Sequence, residues 1–447
     1  MDLAWSERSL HFVGIGGAGM SGLALVAREL GATVTGSDRS GGSSYAARLR
    51  AAGIEPHEGH DAANVPPGAE VVVSTAIPPA NPERAIARDR GQRELHRAEL
   101  LGELTRLRPT IAVSGTHGKT TTSSMLVHAL RGSGHDPGYL VGGEVRSTGS
   151  NAGWGTGEWL VVEADESDRS LLRLDRRVAV LTNAELDHHA TYSSQRDVEA
   201  TFREFLASAE HAVVWDRPGL LALAGDGPML WPFDAAPALT PGGSTFTLDG
   251  VPVELAVPGA HNALNAAAAL TAVRAIGADV AAAADALRDF SGAGRRFEHV
   301  GTTPEGALVV DDYAHHPTEV RATLEAARTL VPRRVIAVFQ PHLYSRTRHQ
   351  AREFGAALAL ADLPVVTEIY PAREHAEDYP GVSGRLVAEA AADAGAGKRV
   401  AWLPDFDSAE RFLRSELREG DLLLTLGAGD IDALGRRLAG PGRTPGG

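Results

Sequence analysis

Ile111-Ala112-Val113-Ser114-Gly115-Thr116-His117-Gly118-Lys119-Thr120-Thr121-Thr122 reads as a buried strand, a glycine turn, a lysine and the first turn of a helix. Gly115 and Gly118 let the backbone approach an anion, and the start of the following helix supplies unpaired N–H donors and the positive end of its dipole. Lys119 adds a mobile positive charge, and Thr120 a hydroxyl able to ligate Mg²⁺. Against the usual GxxxxGK[ST] spacing the first glycine is missing, because Val113 stands there, so the loop is a short GxxGKT form. A bare GKT also occurs in ordinary strand–helix turns. The apolar run before it and the helical stretch from Ser123 to Leu130 supply the context that nucleotide phosphate binding requires.

Working outward, short β-rich runs alternate with helical stretches along the whole chain. Before the loop come residues 10–13, 20–30, 32–35 and 69–73; after it come the runs 159–162 and 178–181 and an alanine-rich helix from Asn262 to Ile276. Further strands are expected at 307–310, 335–339 and 422–425. The rhythm predicts an α/β fold of parallel sheets with covering helices. With 447 residues, three domains are expected: 1–107, 108–293 and 294–447. The Gly/Pro-rich stretch from Gly440 to Gly447 reads as a loose tail.

Composition narrows the chemistry. A net charge of −14 opposes nucleic acid as a general partner, so phosphate must be met by local positive groups and the ligands are small nucleotides. The absence of cysteine excludes disulfides, thiol nucleophiles and thiolate metal sites. No signal-peptide layout and no bilayer-length apolar run is present, which predicts a cytoplasmic protein without a membrane partner.

A second glycine loop, Gly14-Ile15-Gly16-Gly17-Ala18-Gly19, satisfies GxGxxG, and Asp38 follows at the distance of a ribose-binding acid. Alone, the motif fits NAD or FAD, another diphosphate such as a UDP-sugar, or simple close packing. The lysine-bearing loop lowers the NAD reading, since an oxidoreductase has no use for a triphosphate cradle. Glu163-Ala164-Asp165-Glu166 ends a strand and offers a carboxylate for Mg²⁺, with solvated loop acids as the alternative. His188 ends another strand; a nitrogen ligand is unexpected for Mg²⁺, so a hydrogen-bonded loop histidine is the default there. In the last third, Asp311-Asp312-Tyr313-Ala314-His315-His316-Pro317 and Gln340-Pro341-His342-Leu343-Tyr344-Ser345-Arg346-Thr347-Arg348 follow two strands of one sheet. Their arginines and histidines suit carboxylate or phosphate recognition, against the alternative of a solvated basic turn.

In this order the motifs GIGGAGMSGLA (14–24), SGTHGKTTT (114–122), EADESD (163–168), TNAELDHHATY (182–192), HNALNAAAA (261–269), GRRFE (294–298), DDYAHHPTEV (311–320), FQPHLYSRTR (339–348) and LGAGDI (426–431) closely resemble the Mur ligase family over nearly the whole chain. The resemblance implies an N-terminal Rossmann-like UDP-binding domain, a central P-loop ATPase-like domain and a C-terminal Rossmann-like domain. It also implies amide synthesis in cell-wall precursor assembly. ATP phosphorylates the lactyl carboxylate of UDP-N-acetylmuramate, the amine of L-alanine attacks the acyl phosphate, and ADP and phosphate leave. By motif, Gly16, Gly17, Gly19, Asp38 and Ser74 fall to the sugar nucleotide. Gly115, Thr116, His117, Gly118, Lys119, Thr120 and Thr121 form the ATP loop, with Thr120 and Glu163 on Mg²⁺ and His188 at a second metal position. Asn262 and Asn265 fall on the adenine side, Arg296 to the ATP phosphates, Asp312 to the ribose and Tyr313 near the base. His315, His342 and Arg346 border the reacting carboxylate and alanine, Arg346 taking the amino acid's carboxylate. Leu343 stands where some relatives carry arginine, and no lysine lies in the loops from Glu163 to Tyr192, which favours the alanine-adding branch. A recycling ligase that attaches a ready-made peptide to the same nucleotide is the rival within the family. A phosphotransferase with no amine acceptor is the rival outside it. A monomer or homodimer is expected.

Overall fold

The computed structural model describes residues 4–39, 45–189 and 191–439; the tail from Gly440 lies outside them. Its architecture is α/β with three large sheets, as the alternating pattern predicts. The first is fully parallel, in the order His57–Glu58, Thr33–Asp38, Ser9–Val13, Glu70–Val73, Glu94–His96. The second has seven strands, ordered Met229–Phe233, His211–Trp215, Val178–Leu181, Thr110–Ser114, Leu160–Glu163, Gly138–Val145, Ser150–Gly153. Only the terminal Gly138–Val145/Ser150–Gly153 hairpin in it is antiparallel. Ile111, Ala112 and Val113 are completely buried, as expected of a parallel strand covered on both faces. Its neighbours Val178–Leu181 and Leu160–Glu163 flank it on either side. The phosphate loop therefore leaves the sheet between two other strand ends, where open α/β sheets gather ligands.

The third large sheet runs Glu298–Thr302, Leu308–Asp312, Asp421–Leu426, Arg334–Phe339, Leu363–Val366, Ala401–Trp402, with only the first strand antiparallel. A small antiparallel sheet, Ala238–Thr240, Gly243–Leu248 and Val251–Leu255, precedes it in the chain.

Contacts divide the chain into two compact units. One comprises Met1–Asp187, Thr191–Asp234 and Asn265–Leu287; the other holds residues 188–190, Ala235–Leu264 and Arg288–Gly447. The first two large sheets thus share a unit, and the residues responsible are specific. Helix Ala18–Glu29 lies on the terminal hairpin of the second sheet. Asn151 Nδ2 donates to Ala18 O at 2.7 Å, and Trp154 N donates to Glu29 at 2.6 Å. A Cβ at Gly22 would sit 3.2 Å from both the Ala152 methyl and Asn151 Nδ2, so the smallest side chain sets how closely helix and hairpin pack. Among the described residues no helix is long and apolar enough to cross a membrane.

Candidate active site

Helix Lys119–Gly132 begins directly after Gly118, whose left-handed φ of 81° turns the strand into the helix. A Cβ there would lie 2.5 Å from Asn265 Oδ1, and one at Gly115 would overlap the Thr182 hydroxyl. Both loop glycines are therefore required by close approach as well as by φ. The remaining loop residues are tied to the neighbouring strand end. Thr116 donates its hydroxyl to Glu185 O (2.9 Å), His117 N donates to Asn183 Oδ1 (2.9 Å), and Thr182 donates to His117 O (2.6 Å). Thr121 is buried in the first helical turn, and Thr122 bonds Asn265 Oδ1 at 3.2 Å.

Lys119 Nζ donates to Gly115 O at 2.7 Å, Thr116 O at 3.1 Å and Glu166 Oε1 at 3.0 Å. Burial alone depresses an ammonium pKa, but the carboxylates of Glu166, Asp165 and Glu163 outweigh it and hold Lys119 above its usual value. Asp165, which burial alone raises, is brought down to about 2 by Arg97 and Lys119. Thr120 Oγ1 donates to Glu163 Oε1 at 3.0 Å, and Glu163 Oε2 accepts from Gly142 N at 2.7 Å. A hydroxyl and a carboxylate side by side at a phosphate loop form a hard oxygen donor set that fits Mg²⁺. His188 has a left-handed φ of 51°, immediately after the last residue of the first compact unit's main segment, and groups with the second unit.

The first glycine loop has the same logic. Gly14 turns the strand at φ 80°, Gly17 caps helix Ala18–Glu29, and Gly19 lies in its first turn. Asp38, at the end of the adjacent strand, accepts from Gly16 N at 2.8 Å and so stitches the loop to that strand. Ser74 follows strand Glu70–Val73 and accepts from Ile77 N at 3.1 Å. Behind the loop, Ser37 donates to Glu83 at 2.6 Å. Burial pushes the Glu83 carboxyl up, but His11, Ser37 and Asn64 override it and hold the group at about 2.

In the second unit, Leu308–Asp312 and Arg334–Phe339 send their loops from the same sheet edge, with Asp421–Leu426 between them. Asp312 accepts from Phe297 N and Ala314 N, each at 2.8 Å. Burial lifts its carboxyl to about 6, against the pull of Arg296 and those two N–H groups. The Tyr313 ring has Arg295 and Arg296 guanidinium carbons 5.1 and 5.2 Å from its centroid. Those two arginines have different work. Arg295 is bound to Asp311 (2.9 Å) and to the carbonyls of Gly427 (2.8 Å) and Gly429 (2.9 Å), whereas Arg296 lies over Tyr313 and approaches Glu319 at 3.7 Å. His315 meets Tyr313 edge-on at 5.3 Å and His342 at 6.0 Å, and His342 stacks on Tyr370 at 5.8 Å. Arg346, buried in helix Tyr344–Leu358, lies with Nη1 3.2 Å from His342 Nδ1. Asn262, in the first turn of helix Ala260–Ala275, donates to Pro258 O at 2.7 Å; Asn265, one turn on, is the residue against Gly118.

The structure thus brings together Gly115 to Thr122, Glu163 and Asn265 in one cluster, and Arg296, Asp312, Tyr313, His315, His342 and Arg346 around one sheet edge. Sequence reasoning missed Glu166, the direct partner of Lys119, although it stands in the acidic motif after the strand. It also missed Asn183, and Tyr370, which no motif marks.

The chain matches three consecutive family models: "Mur ligase family, catalytic domain" over residues 9–108, "Mur ligase middle domain" over 113–224, and "Mur ligase, glutamate ligase domain" over 295–429. The chain belongs to the Mur ligase family. Membership makes it an ATP-dependent amide-bond-forming ligase. Among Mur ligases it is similar to UDP-N-acetylmuramate–L-alanine ligase of Mycolicibacterium smegmatis, 45% identical over 96% of this chain and 94% of that one. The enzyme of the same name from Rubrobacter xylanophilus is 44% identical over 96% and 99%. Of solved Mur ligases, UDP-N-acetylmuramate-alanine ligase of Thermotoga maritima superposes with a TM-score of 0.83 at 29% identity, covering 97% of this chain and 98% of that one. A murein peptide ligase of Psychrobacter arcticus gives 0.73 at 26% identity, covering 96% and 98%.

Proposed function

We propose that this Mur ligase joins L-alanine to the lactyl carboxylate of UDP-N-acetylmuramate, with ATP cleaved to ADP and phosphate. The observation that carries the reading is the cluster of Lys119, Thr120, Glu163 and Glu166 at adjacent strand ends, in a chain so similar to ligases of that name. A carboxylate is a poor electrophile, and its oxygen a poor leaving group. Transfer of the γ-phosphoryl group to it gives an acyl phosphate that an amine can attack, releasing phosphate. The reaction gathers negative charge first on the phosphoryl group and then on the tetrahedral intermediate, so positioned cations are the main catalytic resource.

The division of labour follows the sheets, with working bounds of 1–107, 108–293 and 294–447. Gly16, Gly17, Gly19, Asp38 and Ser74 take the sugar nucleotide. Lys119 takes the β- and γ-phosphates and Arg296, whose guanidinium lies over Tyr313 and 3.7 Å from Glu319, the ATP phosphates. Asp312 holds the ribose, Tyr313 lies beside the base, and Asn262 and Asn265 serve the adenine side. Thr120 and Glu163 hold Mg²⁺, and His188 a second metal. Bound there, Mg²⁺ would supply neutralisation of the phosphates' negative charge. His315, His342 and Arg346 orient the reacting carboxylate and alanine, Arg346 by its fork to the amino acid's carboxylate. The cytoplasm, where nucleotide substrates are, is the proposed location.

The test is a substrate panel: ATP and UDP-N-acetylmuramate with single amino acids or a preformed peptide, followed by phosphate release and product mass. Phosphate release that needs both UDP-N-acetylmuramate and alanine supports the reading. Turnover with peptide in place of alanine assigns the recycling reaction, and phosphate release without any amine assigns a phosphotransferase.

A further inference from the structure

Arg97 opens helix Arg97–Thr105, held in place by a capping box of His96 and Glu99. Its Nη2 donates to Asp165 at 3.1 Å and to Asp168 at 3.0 Å. These aspartates stand on the loop that also carries Glu166, the partner of Lys119, and follows Glu163, the partner of Thr120. The opposite edge of the guanidinium faces the other nucleotide loop: a Cβ built on Gly19 would meet Arg97 Nη1 at 3.4 Å. In dinucleotide-binding folds the third glycine of GxGxxG admits a close helix–strand approach. Here that glycine, in the first turn of helix Ala18–Glu29, admits an arginine. Nη1 makes no hydrogen bond to the described residues, so its two N–H donors remain on the side of the glycine loop.

We propose that Arg97 is a sugar-nucleotide-binding residue: its Nη1 edge donates to an anionic oxygen of the UDP-sugar while its Nη2 edge stays on Asp165 and Asp168. The inference rests on the reading of the first glycine loop as the UDP cradle. It gives the acid loop of the ATP site a direct contact with the group that recognises the second substrate. An arginine suits this place because its planar fork presents two edges at once, which a lysine ammonium lacks. The anionic oxygen belongs either to the diphosphate or to the lactyl carboxylate, and both are met by the same charge-assisted bond.

The experiment is calorimetric titration of the full chain and of Arg97→Gln and Arg97→Lys with UDP, UDP-N-acetylmuramate and ATP, alongside melting curves. Both variants are expected to bind UDP-N-acetylmuramate about tenfold to a hundredfold more weakly with ATP affinity unchanged, the value of a charge-assisted hydrogen bond. An equal loss for UDP assigns the diphosphate; a loss confined to UDP-N-acetylmuramate assigns the carboxylate. Arg97→Lys keeps the charge beside Asp165 and Asp168, so it reports even where Arg97→Gln does not fold. Unchanged UDP-N-acetylmuramate affinity, or equal weakening of ATP, overturns the proposal and leaves Arg97 a structural clasp. Failure of the unaltered chain to bind either UDP ligand would instead overturn the UDP-cradle reading itself.

Discussion

Lys119 and Glu166 form a buried pair at the phosphate loop, so removing the lysine alone does two things. It deletes the cation proposed to meet the transferring phosphoryl group and strands a carboxylate. Lys119→Met is predicted to lower kcat on the order of 10²–10³-fold and to destabilise the protein by about 3–5 kcal/mol. The double variant Lys119→Met/Glu166→Gln should recover most of the stability and none of the activity; melting curves beside phosphate-release rates check both. Asp312 gives a pH signature. Its native pKa of about 6 lies above the ordinary 3.8, so the native state keeps the proton longer than the unfolded chain. The group therefore favours folding below about pH 4, a contribution lost as pH rises through about 6. On the proposed ribose role, the ionised carboxylate is the stronger acceptor for ribose hydroxyls, so the KM for ATP should fall between about pH 5 and 7, and Asp312→Asn should flatten that profile. A profile unchanged in the variant contradicts the ribose role.

At the scale of elements, the two glycine turns carry the most information. Gly115 combines a φ of 134° with Thr182 crowding the place of a Cβ. Gly115→Ala is predicted to cost on the order of 1–3 kcal/mol and to abolish the rise in melting temperature that ATP gives the unaltered chain. The three central strands of each large sheet, the helices at 20–30, 123–130 and 262–276 and both nucleotide loops were legible in sequence because buried parallel strands read as apolar runs and glycine turns have fixed spacing, whereas the outer strands and the small antiparallel sheet were not among the expected elements. The terminal hairpin Gly138–Val145/Ser150–Gly153 was not, since its Gly142, Gly143, Thr148 and Gly149 break the apolar pattern. Glu166 as the lysine partner was hidden for another reason: the acidic motif offers four carboxylates in six residues, and only the fold decides which reaches Lys119. Tyr370 follows a strand three places removed in the sheet order from Leu308–Asp312, so no local spacing links it to His342 and His315.

At the scale of the molecule, sequence alone suggests three bodies, whereas contacts join the first two sheets through helix Ala18–Glu29 and the terminal hairpin. Amides of Ser9–Val13 and Thr110–Ser114 should therefore open with similar free energies in native-state hydrogen exchange. Asn151→Ala, which removes the bond to Ala18 O, should lower both by about 1 kcal/mol. Opening of the first sheet alone at much lower denaturant would contradict that unity. The chemistry has its own direct test. UDP-N-acetylmuramate labelled with ¹⁸O in the lactyl carboxylate is incubated with ATP, L-alanine and the protein, and the released phosphate is weighed by mass spectrometry. Passage through an acyl phosphate predicts one labelled oxygen in each phosphate for each amide formed; amide formed with unlabelled phosphate would contradict the account.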